Sequence, residues 1–189
     1  MSDSSRNLTR DEVLSLLEEV GEILVRQGIE ASIYIVGGAA MALEFDARRI
    51  TRDVDADVRS GGDAFWEAVA AVADRHGLSL DWINSRAAAF FSNESDTDAH
   101  ELTLPGLRIA VASPRHLIAM KLRAMRRRDI DDLETLFRHL RITSPEEAAA
   151  IHDEFFDESY MGYFDPKEAL YAAQRVFDRA AARGNPIGR

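Results

Sequence analysis

Asp53 and Asp55 stand two residues apart in a run, Arg52 to Arg59, where Val54, Ala56 and Val58 alternate with Asp53, Asp55 and Asp57. A period of two predicts a strand with one apolar face and one carboxylate face. Carboxylates at alternate strand positions lie about 6–7 Å apart at Cβ. Like charges held that close repel, and a divalent cation between them relieves the repulsion. Hard oxygen donors suit Mg²⁺ or Mn²⁺. The plainer alternative is an edge strand with a solvated acidic face. Asp57 shares the carboxylate face and reads as a solvated strand-end charge.

Upstream, the β-branched and aromatic run Ser32 to Val36 ends abruptly in Gly37-Gly38. Two glycines between a buried strand and a helix let backbone approach a ligand closely. The N–H groups at that helix start suit a phosphate. A tight strand-to-helix turn needing positive φ explains the same residues without a ligand.

Downstream, Lys121 interrupts the apolar stretch Leu117 to Leu122. A lysine there either snorkels to solvent, which is the plain physical expectation, or reaches a buried anion. Asp129 and Asp132, three apart, share one helical face. They also suit an N-cap and a first-turn acid. Arg123, Arg126, Arg127 and Arg128 cluster just after Lys121, as a solvated helix end or as a contact for a phosphate backbone.

Positioning these residues requires the following elements. Thr9 and Glu12 form a capping box for a helix that Gly28 stops. The Ser32–Val36 strand, a small-residue helix from Ala39 to Glu44 and the Asp53 strand follow. A helix capped by Asp63 runs to His76, with Gly77 as its stop. Leu78 to Ile83 is a short strand, Ser92 to Asp98 a polar loop, and Leu102–Leu104 with Leu107–Ala112 a strand, turn and strand. Ser113-Pro114 opens a helix to about Arg126, and a second spans about 129–139. Ser144-Pro145 and Asp165-Pro166 open two more, of about 144–158 and 165–183. Tyr160, Tyr163 and Phe164 between them read as packing. The pattern predicts an α/β (α+β) fold, a small mixed sheet flanked by helices with a helical C-terminal segment. The expected domains are a core over 1–140 and a helical extension over 141–189 packed on it.

Composition narrows the function classes. The 189 residues carry 23 Lys plus Arg against 33 Asp plus Glu, a formal charge of −10, with no cysteine and 46% hydrophobic residues. A disulfide framework, a thiolate metal site and a cysteine nucleophile are excluded. No apolar run approaches the roughly 18 residues of a membrane span, and the polar N-terminus carries no secretory pattern. A cytoplasmic globular protein is the expectation. The acidic balance disfavours a broad surface for nucleic acid but permits a local basic patch.

Taken together, Val36-Gly37-Gly38, fourteen intervening residues and Asp53-Val54-Asp55-Ala56 resemble the nucleotidyltransferase fold of the DNA polymerase β type. Arg49-Ile50-Thr51-Arg52-Asp53-Val54-Asp55 resembles the subgroup that contains AbiEii and MenT-type toxins and their uncharacterised relatives. Val111 to Ala124, with its single Lys121, and Arg128-Asp129-Ile130-Asp131-Asp132-Leu133 resemble later segments of that subgroup. Asp81-Trp82-Ile83-Asn84 resembles a Trp-apolar-Asn element of the relatives.

The resemblance implies a metal-dependent transfer of an NMP from an NTP to an acceptor. Asp53 and Asp55 would hold Mg²⁺ or Mn²⁺, and Gly37 and Gly38 would cradle phosphates. Arg49 and Thr51 would assist nucleotide binding, Lys121 would balance triphosphate charge, and Asp132 or Asp129 would be the distal acid. The acceptor would be RNA (tRNA in the toxin case), met through Arg123, Arg126, Arg127 and Arg128, or a protein hydroxyl or a small molecule. A toxin would also have an antitoxin partner. One departure is the acid-free strand Leu107–Ala112, where many relatives place a third metal carboxylate, with Glu101 a poor substitute. Alternatives are a catalytically silent nucleotide-binding or interaction module of the same fold, and an aminoglycoside-type transferase acting on small molecules.

Overall fold

A computed structural model of the chain describes residues 6–46, 49–87, 95–156 and 166–188. The elements run α1 (Arg10–Arg26), β1 (Ala31–Val36), α2 (Gly37–Glu44), β2 (Val54–Ser60), α3 (Gly62–His76), β3 (Ile83–Asn84), β4 (His100–Leu104), β5 (Leu107–Val111), α4 (Pro114–Ala124), α5 (Asp129–His139), α6 (Pro145–Phe155) and α7 (Pro166–Ala182). The expected mixed α/β composition and its order of elements are present. The chain divides into two compact units, Met1–Ala89 with Asp98–Ala112, and Phe90–Thr97 with Ser113–Arg189.

The first unit is built on a five-stranded sheet of order β3-β2-β1-β5-β4. β1 runs antiparallel to β2 and parallel to β5, β2 and β3 are parallel, and β4 and β5 are antiparallel. Ala31, Ile33 and Ile35 of β1 pair with Leu107, Ile109 and Val111 of β5, and all six are buried. The buried stripes Val13, Leu16, Leu17, Val20 and Leu24 of α1 and Phe65, Ala68, Val69, Val72 and Ala73 of α3 complete this core. The Thr9–Glu12 capping box is formed, and Gly77 closes α3 in the left-handed region. The opposite face of the sheet carries Asp55, Asp57, Tyr34, Ala110 and Glu101, as the register requires.

Three local expectations change. The N-cap of α3 is Gly61, at φ +102°, and Asp63 sits in the first turn, where an acid still complements the helix dipole. The strand expected over Leu78–Ile83 shrinks to Ile83–Asn84, because Ser79 to Trp82 form a turn closed by Trp82 N–H donating to Ser79 O at 3.0 Å. Asp129 is the first residue of α5 and Arg128 its N-cap. Residues 92–94 of the expected polar loop, together with Tyr160, Tyr163 and Phe164, lie outside the described residues.

The second unit is helical. Ser113 caps α4 by accepting from His116 N–H, with Pro114 in the first turn, and Ser144 caps α6 in the same way. Leu117, Ile118 and Leu122 of α4, Leu133, Leu136 and Phe137 of α5, Ala148 of α6 and Ala173 and Val176 of α7 are buried. Phe137 and Phe177 pack as a tilted pair with ring centroids 5.6 Å apart. Among the described residues no helix is long and apolar enough to cross a membrane.

Candidate active site

In the first unit the two glycines lie where β1 passes into α2. Gly37 has φ +67°, and a Cβ built on it would come 2.8 Å from Asp55 Oδ2. Asp55 pairs with Val36, the last residue of β1, so antiparallel register brings its carboxylate to the helix start. A Cβ on Gly38 would stand 3.1 Å from Thr51 Oγ1. Any larger residue at either position would fill the space between the α2 turn and these oxygens. The N-cap residue of α2, Val36, offers no side-chain cap, and the first N–H groups of a helix lack intrahelical partners. Such N–H groups with the helix dipole form a ready anion site.

Thr51 is held from two directions. Its N–H donates to Leu8 O at 2.9 Å and its carbonyl accepts from Leu8 N–H at 2.6 Å, a bridge to the segment before α1. Its hydroxyl donates to Asp53 O at 2.8 Å, which orders the backbone just before β2. Asp53 therefore precedes the strand rather than lying in it, and its side chain is one-third exposed. Arg49 sits partly buried in the α2–β2 connection.

Two residues join Asp53 from the β3 segment. Asn84, paired with Asp55 in the parallel register, donates through Nδ2 to Asp53 Oδ2 at 3.1 Å. Arg86 Nη1 lies 3.7 Å from the same oxygen, and its other nitrogen meets Asp81. Ser79 donates to Asp81, and with Arg86 holds that carboxyl below the usual carboxylate range against the effect of burial. The Trp82-Ile83-Asn84 element signalled Asn84. Arg86 carried no sequence signal, since a surface arginine outside any motif looks like any other.

Asp53 and Asp55 supply two hard oxygen donors beside a turn without side chains, a set that fits Mg²⁺ or Mn²⁺, which commonly take one or two carboxylates and fill the rest with water and substrate phosphates. Among the described residues no group of three His, Cys, Asp or Glu could hold a metal. Glu101 fails as a third ligand for a geometric reason. It shares a row with Asp57 through Tyr34 and Ala110, three strand spacings or about 14 Å away.

The second unit holds the other candidate residues. Lys121 does not snorkel. It is buried, and Nζ donates to Asp132 Oδ2 at 2.7 Å and Asp129 Oδ1 at 3.3 Å. Asp132 and Asp129 are buried as well. Asp129 Oδ2 also accepts from Arg126 N–H at 3.2 Å, so this carboxylate closes the α4–α5 turn. Met125 enters that turn at φ +43°. The i,i+3 spacing thus places both acids on one lysine. Arg123 lies with its guanidinium 4.8 Å from the Phe156 ring centroid, while Arg126, Arg127 and Arg128 are exposed. A buried pair that sequence reasoning missed is His116, whose Nδ1 is 3.4 Å from Asp96 Oδ2 and whose ring stacks on Phe155 at 4.8 Å.

Residues 11–144, well over half of the chain, match the family described as nucleotidyltransferases of unknown function (DUF6036). The chain belongs to that family. No curated protein and no solved structure matches it. The glycine turn, Asp53, Asp55, Lys121, Asp129 and Asp132 all fall inside the matched span, and α6 and α7 lie beyond it.

Proposed function

We propose that the chain is an active, metal-dependent nucleotidyltransferase that moves an NMP from an NTP to an acceptor hydroxyl. The acceptor oxygen bonds to the α-phosphorus, the bond to the β-phosphate bridging oxygen breaks, and pyrophosphate leaves. The observation that carries this reading is the approach of Asp55 to Gly37. It sets a carboxylate at the N-terminus of α2 with no side chain between them. Asp53 and Asp55 would hold Mg²⁺ or Mn²⁺, which when bound neutralises triphosphate charge.

The first-turn N–H groups of Gly37 and Gly38 would receive phosphate oxygens, and Thr51 would order Asp53 through its carbonyl. Asn84 and Arg86 would fix the Asp53 carboxylate, as outer partners of metal ligands do. In the other unit Asp132 and Asp129 hold Lys121 in place, which supports treating the three as one functional group. The exposed Arg126, Arg127 and Arg128 favour an RNA acceptor, and the subgroup resemblance extends that to tRNA, with an antitoxin partner.

A second reading is favoured by one observation. Asp53 Oδ2 already receives Asn84 and faces Arg86, so the fold is also suited to a silent nucleotide-binding module. Labelled NTPs with Mg²⁺ or Mn²⁺, offered total RNA and small hydroxylated compounds, separate the readings. We expect label on RNA, with Asp53→Asn and Asp55→Asn each lowering transfer at least ~100-fold, since loss of outer-shell partners alone costs 10–100-fold. Nucleotide binding without transfer establishes the silent module instead. Label confined to small compounds replaces the RNA acceptor with a small-molecule one.

A further inference from the structure

The sheet face that carries Asp55 continues away from it along β1, through Tyr34 to Ser32. At the Ser32 end it dips into a hollow of ≈ 210 Å³ lined by Ser32, Arg59, Glu101, Thr103 and Arg108, among others. Ser32 is four residues from Val36, the partner of Asp55, so the hollow lies about 13 Å along the same face.

Both arginines are placed there by the fold. The β1–β2 register slips between Ser32, which pairs with Ser60, and Ile33, which pairs with Val58. Arg59 is the extra residue of this bulge, and bulges re-aim side chains, often beside active sites. Its guanidinium lies 4.5 Å from the Tyr34 ring centroid, a stacked and pre-oriented setting. Its carboxylate neighbour, Asp57, is 3.9 Å away and half-exposed. Arg108 stands opposite Ser32 and Thr103 in the register. Arg108 is exposed, and its side chain makes no ion pair or hydrogen bond among the described residues.

In a chain of net charge −10, the hollow gathers two guanidinium groups and the hydroxyls of Thr103 and Ser32, the latter sharing a hydrogen bond of 2.9 Å with Ser60 Oγ. Asp57 faces Arg59, which leaves Arg108 as the cation without an ion-pair partner among the described residues. Guanidinium groups match phosphate oxygens in pairs. Glu101, on the same rim, is an acceptor for hydroxyl groups of a ligand and disfavours a bare polyanion.

We propose that this hollow binds the phosphate group of a hydroxyl-bearing phosphate ester and is the subsite for a phosphorylated acceptor. The word acceptor rests on the transferase reading above, and the phosphate chemistry rests on the hollow alone. Ribose 5-phosphate and a 5′-phosphorylated trinucleotide, each titrated into the full chain and followed by backbone amide shifts, test it. We expect saturable shifts at Ser32, Thr103 and Arg108 with at least one of the two esters, absent with ribose. Arg108→Gln, an exposed change, should weaken that binding at least roughly tenfold, and Asp55→Asn should leave it in place. Binding of the small ester points to a sugar phosphate acceptor, and binding of the trinucleotide alone points to an RNA end. No saturable shift with either ester, or equal affinity in Arg108→Gln, overturns the proposal. Hollow binding in a protein that transfers no label would overturn the transferase reading and leave phosphate recognition standing.

Discussion

Gly37→Ala probes the contact on which the functional reading turns. Two penalties can be worked from the structure. The first is backbone strain: φ at Gly37 is +67°, and an L-residue in the left-handed region costs about 1–2 kcal/mol. Reduced freedom of the unfolded chain returns about 0.4–1 kcal/mol of that. The net loss is roughly 1 kcal/mol, or about 2–4 °C in Tm for a chain of this size. The second penalty is crowding: the new methyl would stand 2.8 Å from Asp55 Oδ2. That oxygen is the end of a short side chain, so it can rotate away at little cost to stability. It cannot do so without leaving its position at the α2 turn. Stability should therefore fall modestly and transfer severely, by at least ~100-fold, as for removal of the carboxylate.

Gly28→Ala separates the two effects. Gly28 has nearly the same φ, +69°, and nothing within 4 Å of a built Cβ, so it should lose the same ~1 kcal/mol and keep full transfer. The assays are thermal unfolding and label transfer from NTP, compared at equal folded fraction. If Gly37→Ala matches Gly28→Ala in both, the Gly37–Asp55 approach has no part in the chemistry and the argument fails.

Two more expectations concern the helical unit. Lys121→Met leaves Asp129 and Asp132 buried without their cation, and breaking a buried pair costs about 3–5 kcal/mol. Adding Asp132→Asn should restore at least about 1 kcal/mol of that in denaturant unfolding, whereas additive losses would show that the two do not interact. His152 titrates below the ordinary histidine range because burial disfavours its charged form, with Asp153 opposing that and Arg123 adding to it. The unfolded chain then binds more protons in the window just below about pH 6.5, so stability falls as pH drops through it. Thermal unfolding between pH 7.5 and 5.5 should show a steeper fall for the native chain than for His152→Leu, and parallel curves would contradict the assignment.

Much of this architecture was readable residue by residue. The Thr9–Glu12 box, Ser113-Pro114, Ser144-Pro145 and Gly77 mark helix ends through local hydrogen bonds and backbone preference. The alternation from Val54 to Val58 sets one face of β2, because strand periodicity depends only on neighbours in the chain. The types and spacing of Gly37-Gly38 and Asp53-Val54-Asp55 suited a phosphate and a divalent cation, and the family resemblance carried the step to a nucleotide.

What the sequence could not determine is everything set by pairing between distant segments. Helical periodicity cannot say whether Lys121 reaches water or an anion, and the answer came from α5 delivering Asp129 and Asp132 to it. Asn84 and Arg86 meet Asp53 because β3 pairs with β2. Glu101 is removed from Asp55 because β1 and β5 stand between their strands. Arg59 faces the hollow because one extra residue enters β2 opposite Ser32. Propensity and capping are local energies and can be read in order along the chain. Register, bulges and buried charge pairs are decided by which segments meet in space, and only the folded chain brings those segments together.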